Sequence, residues 1–266
     1  MNRYLAGLAG LFLISSATRA LDIVQMEAAH GVFGPERRTL EFYPLDEVFF
    51  RFRVTGAKVD ADDKTDVEVG MKLSAADGKI VFEHRYSIRR QLSLGDGSLP
   101  GYAVVNASEK VVPGNYTFTV QVNDRLAGTT ASVERKLVCK PPVFQVLAVR
   151  FWRDPEGKIP ATNGGQLGEA VHLKLRVVGF DTSKKKVKTT LTMILLDDRG
   201  QPVGDKPKVI KAELNSPEDV AKATQVNFNS LFYLNRPGNF TLRLKVDDVE
   251  GEQTTIYDTP LKVLTP

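Results

Sequence analysis

With 266 residues, 42% apolar and 26% charged, the chain has the composition of a folded globular protein with room for two ordinary cores, which excludes a disordered or fibrous chain. A formal charge of +4 is too small to imply nucleic acid, and one cysteine cannot build an internal disulfide framework.

Asn2 and Arg3 precede an apolar run from Tyr4 to Ile14, and small residues follow, ending in Thr18-Arg19-Ala20. This is the layout of a secretory signal peptide over residues 1–20. The run is shorter than the roughly 20 helical residues that span a bilayer, and none comparable follows, so no membrane span is expected in the mature chain. Loss of Arg3 and Arg19 on cleavage leaves a mildly basic protein, expected to be secreted or periplasmic.

Leu21 to Met26 then reads as an opening strand. Val48, Phe50, Phe52 and Val54 alternate with Phe49, Arg51 and Arg53, which predicts a half-buried strand with the second set outward. Val67, Val69, Met71 and Leu73 predict another strand, stopping at the Asp77-Gly78 turn. The segment holding Gly95, Gly97 and Gly101 misses the dinucleotide-binding spacing and reads as a loop. Helical periodicity is nearly absent. Pro217 to Ala223 predicts one short turn of helix, with Ser216 as its cap and proline at the first position.

The stretch Pro113 to Asp124 reads PGNYTFTVQVND, and Pro237 to Asp248 reads PGNFTLRLKVDD. In each, a Pro-Gly-Asn turn opens a strictly alternating strand, with Tyr116, Phe118, Val120 and Val122 inward in the first and Phe240, Leu242, Leu244 and Val246 inward in the second. Leu45 with Leu167, Val48 with Val171 and Val67 with Thr189 keep nearly the same offset, so the chain is a tandem duplication. Lys140-Pro141-Pro142 stops strand pairing, which puts the expected boundary between residues 21–140 and residues 141–266.

The PGN-aromatic strand is similar to the late strand of immunoglobulin-like domains of secreted bacterial proteins. The resemblance implies an all-β chain of two tandem antiparallel β-sandwiches of roughly seven strands each, and it implies no activity. The paired-cysteine and tryptophan core signature is missing. Phe240 also lacks the hydroxyl that a tyrosine corner needs in the second copy.

His30, His84 and His172 have no partner at a metal-ligand or catalytic spacing, and neither a GxSxG elbow nor a phosphate-cradling GxxxxGK[ST] loop occurs. The chain is therefore expected to be no enzyme and to need no cofactor and no metal. Cys139 reads as a small hydrophobe at a strand end, or else as the link of a covalent dimer. Sequons occur at Asn106, Asn115 and Asn239, and turn chemistry accounts for the two in the PGN motif.

Two surfaces stand out. Asp60, Asp62, Asp63 and Asp66 carry oxygen ligands but fail the EF-hand pattern, and the matching loop of the second copy holds Lys184, Lys185, Lys186 and Lys188. Equivalent loops of opposite charge predict a weak, salt-sensitive, head-to-tail self-association. The aromatics Tyr43, Tyr86 and Trp152 are the candidates for stacking on sugar. His84, Arg85, Arg89 and Arg90 read as charges guarding an edge strand, or as a site for an anionic envelope polymer. The expected role is a structural or protein-interaction module of the envelope or extracellular space, its partner a protein or a polysaccharide. Carbohydrate binding ranks second and a periplasmic chaperone third.

Overall fold

The computed structural model describes residues 20–91, 97–204 and 206–265. The signal-peptide reading over residues 1–19 and the position of Gly95 lie outside them. Among the described residues no helix is long and apolar enough to cross a membrane.

The first half runs β1 (Asp22–Ala29), β2 (Glu41–Phe42), β3 (Glu47–Thr55), β4 (Lys64–Ala75), β5 (Ile80–Gln91), β6 (Leu99–Asn106), β7 (Gly114–Asp124) and β8 (Thr129–Cys139). The second half runs β9 (Gln145–Trp152), β10 (Gly164–Gln166), β11 (Ala170–Val178), β12 (Val187–Leu196), β13 (Lys208–Leu214), α1 (Pro217–Lys222), β14 (Gln225–Tyr233), β15 (Gly238–Asp248) and β16 (Gln253–Leu264). Each half has a three-stranded sheet, β1-β3-β6 or β9-β11-β14, facing a five-stranded one, β2-β8-β7-β4-β5 or β10-β16-β15-β12-β13. Pairing is antiparallel except where β2 meets β8 and β10 meets β16. In both halves the first two strands join opposite sheets, and the order matches the A-B-E and A′-G-F-C-C′ arrangement of immunoglobulin-like sandwiches. The expected seven strands per copy become eight because the chain crosses between sheets through the short β2 and β10.

The alternation in β7 and β15 does what the pattern requires. Phe118 is fully buried and stacks on Phe50 of the opposite sheet at 4.8 Å, joining the two layers. A buried aromatic of this kind contributes about 1.5–3 kcal/mol. The turn before each strand places glycine at positive φ, 152° at Gly114 and 140° at Gly238, a conformation other residues enter only with strain. One core cluster runs from Ile23 to Cys139 and another from Val146 to Val263. Between them, Lys140 to Gln145 contributes no buried residue.

Several expectations are corrected. Ser216 precedes α1, but its side chain makes no capping bond; only its backbone oxygen accepts, from Val220 N. Gly101 lies inside β6 rather than in a loop, paired with Phe52 of β3, and it is glycine because a Cβ there would overlap the Phe52 ring. Phe49, on the nominally outward face of β3, is buried, for a reason that lies in the second half.

Candidate functional site

The charged loops occupy equivalent places, β3 to β4 and β11 to β12, and each hangs from a buried aspartate that ends the repeated strand. Asp124 Oδ2 accepts from Lys58 N at 2.7 Å, and its Oδ1 accepts from Leu126 N and Ala127 N. Asp248 Oδ2 accepts from Asp181 N at 2.8 Å. Both loops turn through a left-handed residue, Asp63 at 56° and Lys185 at 55°. Asp60 Oδ1 accepts from Lys64 N and Asp62 N, and these bonds, the Lys64 one first, hold its carboxyl below the usual range. The charge is partly matched at home. Lys64 pairs with Asp62 at 3.2 Å, Arg125 reaches Asp66 at 3.5 Å, Lys188 reaches Glu213 at 3.6 Å, and Lys184 donates to Glu250 O at 2.6 Å. Asp62, Asp63 and Lys185 keep exposed side chains, while Lys186 is half-buried. Among the described residues no group of three or more His, Cys, Asp or Glu is placed to hold a metal ion.

The three aromatics are not brought together. Tyr43 lines a cleft of about 700 Å³ with His30, Arg37 and Arg38 of the first half and Tyr257 of the second. Trp152 lines a cavity of about 320 Å³ with Arg150, Lys174, Arg176, Asn227 and Asn229. Its indole Nε1 is buried there and has no hydrogen-bond partner among the described residues. Tyr86 lies in a third place, a groove of about 670 Å³ between β5 and β6. Its hydroxyl donates to Tyr102 O at 2.6 Å, its ring stacks on Tyr102 at 6.0 Å, and burial pushes its pKa up to about 12.

β5 is an edge strand, as its run of positive residues suggested, and so is β13 in the second half. Cys139 is 2% exposed, and burial pushes its thiol up to about 11, so the native fold does not present it for a disulfide between chains.

Sequence reasoning missed a charged seam between the halves. Glu47 at the start of β3 pairs with Arg150 of β9 and lies 3.6 Å from Arg176 of β11, and Arg176 Nη1 donates to Leu45 O at 2.6 Å. The Arg150 guanidinium sits 4.5 Å from the centre of the Phe49 ring, which explains the burial of that outward residue. Burial, then the neighbouring Arg176, lowers the Arg150 pKa to about 10. Beside this seam His30 meets Tyr257 edge-on at 5.9 Å. Burial and the Arg37 charge lower His30 to about 4, against the smaller opposing pull of Asp46. A buried ion pair links Arg37 to Asp46 at 2.6 Å. The one signal in the sequence was Phe49, a large apolar residue on a face otherwise given to arginine.

No protein-family model matches the chain, and no curated protein does. Among solved structures it is similar to red sea bream transglutaminase, at 10% identity and a TM-score of 0.29 over 91% of this chain and 31% of that one. It is also similar to the C-terminal domain of the AgI/II polypeptide BspA of Streptococcus agalactiae, at 11% identity and a TM-score of 0.30 over 91% of this chain and 99% of that one. A further wild-type BspA C-terminal structure matches at 12% identity and a TM-score of 0.30, with the same coverage of both chains. The chain thus spans 31% of the transglutaminase it matches. At these scores the likenesses carry no argument, and the immunoglobulin-like assignment rests on the chain's own strand order.

Proposed function

We propose that the chain is a secreted or periplasmic, non-catalytic module of two tandem immunoglobulin-like domains, residues 21–140 and 141–266, that holds or recruits another protein. The observation that supports this most is β5. It is a long strand at the open edge of the first sandwich, beside a groove of about 670 Å³. An unpaired strand edge offers backbone donors and acceptors to a partner, and flanking charge keeps it from pairing indiscriminately. The Glu47 seam holds the two halves against each other away from that edge.

The test is capture of envelope material on the immobilised chain, with bound protein and bound sugar assayed in parallel. Recovery of a defined protein is the expected result. Recovery of glycan alone overturns the reading. One observation favours that second outcome: the Trp152 indole shares its cavity with the carboxamides of Asn227 and Asn229, groups suited to sugar hydroxyls. On that reading Trp152→Ala releases the glycan.

A further inference from the structure

The groove beside β5 is built from two strand edges facing each other. β5 ends the five-stranded sheet and β6 ends the three-stranded one, so among the described residues neither has a strand neighbour on the groove side. Tyr86 of β5 and Tyr102 of β6 line its wall with their stacked rings. Its floor is apolar, with Phe52 at 3% and Ile88 at 8% exposure. Phe33, from the connection between β1 and β2, stands at its rim and is 52% exposed.

The charged residues that line this apolar floor are all arginines. Arg51, Arg89 and Arg90 line the groove, and no described lining residue is a carboxylate or a carboxamide. Arg51 is partly engaged, donating to Gly34 O at 3.1 Å and lying 3.6 Å from Glu27. Arg89 and Arg90 are exposed, and Arg89 stands opposite Asp66 in the β4–β5 register and acts electrostatically on Asp60. A sugar is best met by carboxamides and carboxylates, and this lining offers only backbone and the hydroxyls of Ser87, Tyr86 and Tyr102, with the Tyr86 proton already given to Tyr102 O. It supplies instead guanidinium groups, apolar surface and a free strand edge.

We propose that this groove binds an extended acidic segment of a partner protein, its backbone adding to β5, its carboxylates meeting Arg89 on the outer face of that strand, and an apolar side chain packing on Phe33 and Tyr102 towards the groove. Alternation along a strand presents acidic and apolar side chains to opposite sides, so the segment that fits alternates the two. The assignment rests on the interaction-module reading and names the partner's chemistry.

The probe is a fluorescein-labelled nonapeptide that alternates glutamate with valine around a central phenylalanine, titrated with the full chain by fluorescence anisotropy. Binding is expected at low salt and weakens as salt rises, since the charges are exposed. Replacing Arg89 and Arg90 together by glutamate lowers affinity about tenfold or more, and Tyr102→Ala lowers it about fivefold. N-methylation of alternate peptide amides abolishes binding. Should the glutamate pair fail to fold, R89Q with R90Q carries the same expectation in smaller measure. The assignment is overturned if the peptide does not bind, if a lysine-for-glutamate peptide binds equally, or if polygalacturonate binds in a way the same variants abolish. If the peptide fails while the immobilised chain still captures a defined protein, the groove assignment falls and the interaction-module reading stands.

Discussion

Glu47 sits between two arginines at a seam where none of the three side chains is well solvated: Glu47 is 15% exposed, Arg150 22% and Arg176 24%. Removing its charge leaves two poorly solvated cations with Asp46 as the remaining carboxylate acting on both, which costs more than the pair itself contributes. Glu47→Gln keeps the shape and is expected to lower stability by about 1–3 kcal/mol, less than for a fully buried pair because water still reaches the site. Urea unfolding checks this, and a loss below the error of the measurement would show the seam to be incidental. His30 makes a pH prediction. Its native pKa of about 4 lies below the ordinary histidine value of 6.5, so well above pH 6.5 it is neutral whether folded or not. Between 6.5 and 4 the unfolded chain takes up a proton that the native one refuses, so stability falls as pH drops through that window. The charges acting on it are those of Arg37 and Asp46, and Tyr257 packs edge-on against its ring. Melting temperature against pH is therefore expected to fall less steeply in His30→Asn than in the parent chain between pH 6.5 and 4.

At the scale of the element, the repeated strand carries two devices beyond its apolar face. The first is the closing aspartate. Asp124→Ala strands the amides of Lys58, Leu126 and Ala127 and is expected to cost about 1–3 kcal/mol. Amide exchange should quicken at Lys58 and stay unchanged at Asp181, which hangs from Asp248 instead. The second is the tyrosine corner. Tyr116 O–H donates to Val112 O at 2.8 Å, and Phe240 has no hydroxyl to do the same in the other copy. Tyr116→Phe is expected to lose about 0.5–1.5 kcal/mol, read by urea unfolding, and to leave the second half untouched. The asymmetry shows that apolar packing sets this strand and that the hydroxyl only tightens its entry. Hydrophobic alternation was legible because each of these strands buries one face alone; the aspartate repeats at the last inward position, and its distant partners, Lys58 and Asp181, lie in loops that no local pattern identifies.

For the whole molecule, the loops of opposite charge sit in equivalent places, with Asp62 and Asp63 exposed on one and Lys184 and Lys185 on the other. If they meet between molecules, each pair contributes only about 0–1 kcal/mol. The weight-average sedimentation coefficient is then expected to rise with concentration at low salt and to be flat at high salt, and Lys184→Glu with Lys185→Glu should flatten it at both. A slope that ignores salt would point to another contact. Lys184 already donates to Glu250 O, which lowers the charge available and keeps the expected association weak.

The repeated strand, the two cores and the inward residues of the long strands were legible in the residue pattern. Each depends on a short-range period or on a repeat, and both survive translation from string to strand. Features built from residues far apart in the chain needed the folded molecule. The seam joins Glu47 to Arg150 and Arg176, and the groove joins Phe33, Arg51, Arg90 and Tyr102. Phe49 marks the limit between the two. Alternation puts it outward, and it is buried all the same, because a strand's pattern records its own sheet while its exposure depends on whatever the rest of the chain lays over it.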